Sequence, residues 1–517
     1  MYRARRLAEA ADCCRAALRR DAAIAEAWHL LGVTSLERGD PEPALAPLSR
    51  ALALAPGLTR AWYHLGNTLM GLDRHLDAVA SFRAALARAP DFIEAENNLG
   101  NALRALGRND KAIPCYRRIL ARSPDHRPAL YNLALALSQT GALGEAEAAL
   151  RRVLAGDLSA EDPARIADAH AALARVLIAD ERDEEALSEL EAERRLRGAD
   201  AAAPAFNMGM LLLRMGRWAE GWRLYEQRWH VPGFREGAEA MRPVPPVLDP
   251  ARVAGLRVLV RGEQGRGDVI QFARYAPLLA QRGSRVTLSV FPELVPLLAT
   301  LEGVEKVVGD DEPDPPHDEV AALLSLPLAF GTEPGSVPAE VPFLRPDPAR
   351  RARWAGRLGA EPGLRVALCW SGSEHSRARA AATLADFLPL AEVRGVVCHA
   401  LVKEPTEADR ALLAAHPALR DHGAALTDFA ETAALLAHMD LVISVDTAVA
   451  HLAGALALPL WLLLRRGADW RWMRGRTDSP WYPTARLFRA GPDGGWAAVV
   501  AEVRSVLEAE AAKHLGF

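Results

Sequence analysis

The chain has 517 residues but only five cysteines and 6% aromatic residues, and it has no unbroken apolar run long enough to cross a bilayer. A spanning helix needs about 20 consecutive apolar residues, so no membrane span is expected. Residues 1 to 20, MYRARRLAEAADCCRAALRR, scatter charges through the apolar positions, which argues against a secretory core and makes a cytoplasmic protein the expectation. Cys13, Cys14, Cys115, Cys369 and Cys398 form no C-x-x-C pair, so buried free thiols are expected rather than a disulfide framework or a zinc ribbon. Neither sign of charge dominates: 62 Lys plus Arg against 66 Asp plus Glu give a formal net charge of -4. The basic field that would draw nucleic acid is missing, and no nucleic-acid partner is expected.

The first half repeats itself. Gly32, Gly66, Gly100 and Ala134 recur at a spacing of 34 residues, each preceded by a leucine, and this is the tetratricopeptide period. Ala44, Ala78, Ala112 and Ala146 keep the same register, as do the larger Leu48, Phe82, Tyr116 and Leu150. Small residues let paired helices approach, and Pro56, Pro90 and Pro124 remove a backbone donor where each repeat must end. A fifth unit follows an insertion near residues 156 to 166, and a sixth carries Met208, Gly209, Gly216 and WAEGWRLYEQRW. Residues 7 to 20 read as the unpaired second helix of an incomplete first repeat, so residues 1–230 form an all-α array of about six units. Asn67, Asn97, Asn98, Asn101 and Asn132 are placed to bond an extended peptide backbone, or equally to close hydrogen bonds between helices.

Residues 231–252, rich in Pro and Gly, break the helical pattern and read as a linker. Beyond it the period changes. LRVLVR (256–261), the loop GEQGRG, a helix from about Asp268 to Gln281 and RVTLSV (285–290) make a β-loop-α-β unit. A second series runs through LRVALCW (364–370), VVCHALV (396–402), LVISV (441–445), a helix at DTAVAHLAGALA and PLWLLL. Two α/β lobes in tandem are expected, at 253–350 and 351–495, closed by a C-terminal helix in 496–517. DDEPDPPHDE (310–319) reads as a solvated acidic loop.

Two loops carry the chemistry. In Ser444-Val445-Asp446-Thr447-Ala448-Val449-Ala450-His451 a strand end runs straight into a helix, whose free amides and positive dipole end suit a diphosphate. The alternative is that Asp446 caps the helix and His451 is a packed core histidine. In the other loop, Gly262, Gly265 and Gly267 accompany Gln264 and Asp268 and let the backbone turn tightly beneath a ligand. This loop does not match G-x-G-x-x-G, which disfavours a nicotinamide cofactor. Asp268 at a helix start is a candidate general base, although a carboxylate there is favoured in its charged form and is weakened as a base.

These motifs, in this order, resemble the bacterial tetratricopeptide-repeat glycosyltransferases, a group similar to the heptosyltransferases and to O-linked N-acetylglucosamine transferase. The resemblance rests on the asparagine ladder, EGWRLYEQRW, G-x-G-D at 265–268, Trp370-Ser371-Gly372, D-T-x-x-x-H-L-A at 446–453, Asp469-Trp470-Arg471-Trp472 and Asp478-Ser479-Pro480-Trp481-Tyr482-Pro483. It implies the two-lobed GT-B plan with Asp268 facing the acceptor as base. Thr447, Ala448 and Val449 would lie on the donor phosphates, Asp446 near the sugar and His451 within the first turns. Lys403 would bind phosphate, and Ser371, Gly372 and His375 would approach the donor. Trp470, Arg471 and Trp481 would stack a base or sugar, or hold an acidic group, unless the tryptophans are packing. Where the family continues with Asn-Asp-Arg and Arg-Ser-Ile-Pro-Leu, this chain reads SRARAAATLADFLPL, which puts donor identity and catalysis in question for residues 371–384.

The function so implied is transfer of a sugar from a nucleotide-sugar donor to Ser or Thr hydroxyls of a protein held by the repeats. Flagellin is the candidate acceptor that the resemblance supplies. The donor nucleotide stays open among UDP, ADP and CMP; neither a metal nor another cofactor is expected. A non-catalytic repeat scaffold with a degenerate transferase domain is the alternative.

Overall fold

The computed structural model describes residues 2–159, 161–232, 245–360, 362–372, 382–491 and 495–514; most of the linker (233–244) and His375 lie outside the described residues. The chain divides into two compact units, Met1–Arg197 and Gly198–Phe517. In the first, the helix Tyr2–Arg20 precedes helix pairs that alternate first and second members down the chain. The first members are Ala25–Glu37, Thr59–Gly71, Ile93–Ala105, Arg127–Gln139 and Pro163–Ala179; the second members begin at Leu45, His75, Asn109, Leu143 and Asp183.

The 34-residue register has a direct steric cause. A Cβ added at Gly32 would lie 2.5 Å from Leu48 Cγ, one at Gly66 2.5 Å from Phe82 Cε1, and one at Gly100 2.5 Å from Tyr116 Cε1. Leu48, Phe82 and Tyr116 are fully buried, so each glycine is the socket for the large residue of its partner helix. First helices of successive pairs also touch one another and form a continuous face, the surface that such solenoids use for binding.

The asparagines on this face bond chiefly to each other. Asn98 Nδ2 donates to Asn67 Oδ1 at 2.8 Å, and Asn132 Nδ2 donates to Asn97 Oδ1 at 3.0 Å, lacing neighbouring repeats. Asn101 accepts from the Tyr116 hydroxyl at 2.8 Å. Helix-to-helix closure is therefore the observed use of these side chains.

The sixth helix pair, Ala202–Arg214 with Trp218–Tyr225, keeps the repeat geometry but falls in the second unit. A Cβ at Gly209 would lie 2.8 Å from the Tyr225 amide nitrogen. Its Phe206, Leu213, Trp218 and Trp222 share one core with the α/β sheets. Hydrophobic burial thus makes the last repeat-like pair part of the second unit, although its sequence period continues that of the first.

Two parallel sheets follow. The first runs β3-β2-β1-β4, with β1 Arg257–Arg261, β2 Arg285–Val290, β3 Lys306–Gly309 and β4 Glu319–Ala322. The second runs β10-β9-β8-β5-β6-β7, with β5 Leu364–Cys369, β6 Val396–Ala400, β7 Arg420–Asp421, β8 Leu441–Val445, β9 Leu460–Leu464 and β10 Ala485–Arg489. Strand order reverses between β1 and β4 in the first sheet and between β5 and β8 in the second. In such open sheets ligands bind beyond the carboxyl ends of the strands at this switch point.

Two details depart from the sequence pattern. The helix expected over 268–281 is broken into Arg266–Phe272, a 3-10 turn Ala273–Tyr275 and Ala276–Gln281, because Pro277 has no amide to continue the ladder. The acidic loop ends one residue early: Glu319 pairs with Val258 as the first residue of β4. The C-terminal helix Trp496–His514 packs on the helix Leu384–Ala391 and belongs to the second sheet's core.

The socket geometry predicts that Gly100→Ala lowers the unfolding free energy by about 1–3 kcal/mol through overpacking against Tyr116. Gly144→Ala, where an added Cβ meets nothing within 4 Å, changes it by less than about 1 kcal/mol. Urea titrations followed by far-ultraviolet circular dichroism compare the two; equal effects would contradict the socket account.

Candidate functional site

The loops after β1, β5, β6, β8 and β9 line a cleft of about 990 Å³. It gathers Gly265, Gly267 and Asp268 from the first sheet with Ser371, Gly372, Lys403, Asp446, Thr447, Ala448, Val449, His451 and Arg471 from the second. Residues scattered over two hundred positions of sequence thus share one cavity.

The floor is the turn from β8 into the helix Ala448–Ala455. Its N-cap is Thr447, not Asp446, and the cap side chain makes no bond to the helix. The Thr447 hydroxyl instead lies 3.0 Å from Ser444 Oγ and 3.7 Å from Cys369 Sγ. The amides of Ala448 and Val449 therefore lack both an intrahelical acceptor and a side-chain cap, which leaves them to an external anion. Lys403 is exposed at the cleft edge, and Arg465 and Arg466, which follow β9, add positive charge there. These arginines were not singled out from the sequence; the available signal was a basic pair directly after the apolar strand LWLLL.

Asp268 sits at the third position of the helix Arg266–Phe272. Its Oδ2 accepts the Gly265 amide at 2.8 Å, and its Oδ1 accepts from Arg471 Nη2. Arg471 also donates from Nε to Gln271 Oε1 at 2.8 Å and from Nη1 to Asp469 Oδ1 at 2.8 Å. Its guanidinium lies 4.3 Å from the Trp470 ring centroid. Burial would drive Arg471 toward neutrality, but Asp268 and Asp469 outweigh it and keep the guanidinium charged.

The helix start was expected to weaken Asp268 as a base. Burial acts more strongly, and it raises the Asp268 carboxyl above its usual range against the opposing pull of Arg471 and the Gly265 amide. Asp446, with 32% of its side chain exposed, is pushed up to about 7 by desolvation first and by the neighbouring Asp469 second.

His451 is buried and neutral, held well below its ordinary range by desolvation and then by Arg471. Its ring stacks on Trp472 with centroids 5.4 Å apart, Nδ1 lies 3.0 Å from the Tyr482 hydroxyl, and Nε2 lies 3.7 Å from Asp446 Oδ1. It is both a packed histidine and a wall of the cleft.

The three loop glycines do not supply the tight turn. None has a positive φ; the left-handed residue is Gln264, at φ 64, whose side-chain amide is anchored to the Tyr225 hydroxyl at 3.0 Å. Gly267 matters for closeness instead: a Cβ there would lie 2.8 Å from His451 Cδ2, so only glycine lets the two helix starts meet. Gly262 lies outside the cleft, against Val269.

Trp470 and Trp481 are corrected from candidate stacking residues to core residues. They are 4% and 0% exposed, and Trp481 stacks on Trp218 at 5.2 Å while Trp470 meets Trp222 edge-on at 5.1 Å. The apolar area of two indoles is better spent on closing the core than on a wet cleft. Among the described residues, no group of three or more His, Cys, Asp or Glu side chains could hold a metal ion. No helix among them is long and apolar enough to cross a membrane.

A helical-repeat solenoid followed by two parallel sheets with this cleft defines a tetratricopeptide-repeat protein with an α/β glycosyltransferase-like domain. Residues 404–464, which span β8, the helix start and β9, match Glycosyltransferase family 9 (heptosyltransferase). Residues 2–59 with 97–163, and residues 59–92, match two tetratricopeptide-repeat families. The chain is 29% identical over 362 residues to Protein FlbA of Caulobacter vibrioides, an alignment covering 63% of this chain and 58% of that protein. It therefore spans less than two thirds of that relative. Among solved structures it is similar to YrrB, described as a TPR protein with an unusual peptide-binding site, at 22% identity and TM-score 0.31, over 36% of this chain and 93% of that one. Similarity to Pseudomonas aeruginosa pilF has 22% identity and TM-score 0.35, over 42% and 96% of the two chains.

The Asp446 shift predicts the sign of a pH effect. As pH rises through the neutral range its carboxyl loses its proton and comes to repel an anion in the cleft. Nucleotide affinity in calorimetric titrations from pH 6 to about 8.5 should fall as pH rises, and Asp446→Asn should flatten the profile relative to wild type. An unchanged slope in that variant would remove Asp446 from the anion site.

Proposed function

We propose that this protein is a GT-B glycosyltransferase that moves a sugar from a nucleotide-sugar donor to Ser or Thr hydroxyls of a protein acceptor presented by the repeats. The observation that carries the reading is one cleft shared by two features: the uncapped start of the helix Ala448–Ala455 and the half-buried carboxylate of Asp268. The first suits the donor phosphates, and the second suits a hydroxyl nucleophile.

In this reading the acceptor hydroxyl gives its proton to Asp268 as its oxygen bonds to the anomeric carbon. The bond from that carbon to the phosphate oxygen breaks, and the nucleotide leaves with the electron pair. Each carboxylate oxygen has two lone pairs, so Asp268 can serve as base while still accepting from Arg471 and Gly265. Negative charge on the leaving phosphate is met by the amides of Ala448 and Val449 and by Lys403, with Arg465 and Arg466 nearby. Ser371 and Gly372 line the donor side; His375 belongs to the same proposed loop but lies outside the described residues. Flagellin is the specific acceptor that the family resemblance offers, and the asparagine face of the repeats is the proposed peptide track.

The test is to incubate the protein with UDP-, ADP- and CMP-sugars and to measure melting temperature and donor hydrolysis. One nucleotide class should raise the melting temperature in both wild type and Asp268→Asn. The variant should lose about 10²–10⁴-fold in turnover, the range of a general base. Stabilisation by none of the three would instead favour the scaffold reading.

A further inference from the structure

The repeat unit contains a second cavity, of about 240 Å³, on the face formed by the first helices. Its floor is Ala134, Leu150, Ala172 and Val176, and its rim carries Arg104 and Arg175. The repeat register explains the space. Where Phe82 and Tyr116 plug against glycines in the two preceding pairs, this pair has the shorter Leu150 with Ala134, and both line the cavity.

The rim arginines are held but not neutralised. Arg104 reaches the Tyr116 hydroxyl and Arg175 the Tyr131 hydroxyl, and neither pairs with a carboxylate among the described residues. Arg104 Nε is buried without a hydrogen-bond partner. Asp168, whose charge acts on the Tyr131 hydroxyl, is already engaged by Arg197 at 2.5 Å. Other arginines of the same unit do find acids: Arg118 and Arg122 share the buried Glu96, and Arg182 holds Glu147 and Glu185.

We propose that this cavity takes the carboxylate of an aspartate or glutamate side chain on an extended segment of a partner protein. Two guanidinium groups over an apolar floor suit a short methylene stem ending in a carboxylate, and charge-assisted bonds to arginine are the strong ones. The volume is below the roughly 300–1,000 Å³ usual for small-molecule sites and fits one side chain. Ser138 and Gln139 on the rim add neutral donors for the same group. The inference rests on the reading that the repeats hold a protein acceptor, and it adds an acidic anchor to the sequence that acceptor must carry.

The experiment titrates full-length protein into fluorescein-labelled deca-glutamate and deca-glutamine and follows anisotropy at low salt. Deca-glutamate should bind and deca-glutamine should not. Arg104→Gln with Arg175→Gln should weaken binding by about tenfold or more, the scale of losing charge-assisted bonds. Arg108→Gln, at an exposed arginine off the rim, should change it less than about twofold. Circular dichroism melting of each variant checks that the solenoid stays folded. Equal binding of both peptides, equal binding by the double variant, or an equal loss in Arg108→Gln would overturn the proposal. Nucleotide binding measured on the same samples keeps its failure separate from failure of the transferase reading.

Discussion

The second unit depends on one buried cation. Arg471, 6% exposed, comes from the loop after β9 yet binds Asp268 and Gln271 from the helix after β1. It is the electrostatic tie between the two sheets where the cleft opens. Removing one partner of a buried pair costs far more than the pair adds, because a charge is left stranded. Asp469, bound to the same guanidinium, completes the set, and the carboxylate proposed as base is oriented by it.

Packing around that tie follows from it. Trp470 lies against the Arg471 guanidinium, meets Trp222, and through Trp481 and Trp218 connects the cleft wall to the last helix pair. Arg228, in the 3-10 turn Glu226–His230 that follows that pair, bonds Glu263 in the loop before Asp268 at 2.8 and 2.9 Å, and it is itself fully buried. The segment WAEGWRLYEQRW thus looks like one more repeat in sequence but acts as the buttress of the glycosyltransferase-like domain. Small residues do the complementary work: Gly267 lets the two helix starts meet, and Gly454 admits the Tyr482 ring, whose hydroxyl faces His451.

The solenoid was legible because its constraint is local and periodic. A glycine and a large residue sixteen positions later must fit each other, and that pairing is visible at Gly66 with Phe82 and at Gly100 with Tyr116. The cleft was legible in outline for a similar reason, since strand-to-helix junctions such as Val445 to Ala448 announce themselves by a change of period. The roles of Trp470 and Trp481 were not legible, because indoles beside arginine read alike in a core and in a binding site. The raised Asp268 carboxyl was hidden too, since local helix position predicts the opposite sign and burial depends on residues two hundred positions away. Strands β3, β4 and β7 escape because two to four residues carry too little pattern to separate strand from loop, and β10 escapes because Arg486 and Arg489 interrupt its apolar run.

In the proposed function the uncapped helix start at Thr447 receives the donor phosphates opposite Asp268. Hydrogen–deuterium exchange with and without the stabilising nucleotide reads this directly. Slower exchange is predicted at the amides of Ala448 and Val449, together with the loop Gly265 to Asp268. Unchanged exchange at Ala448 and Val449, under a nucleotide that stabilises the protein, would contradict phosphate binding at this helix start.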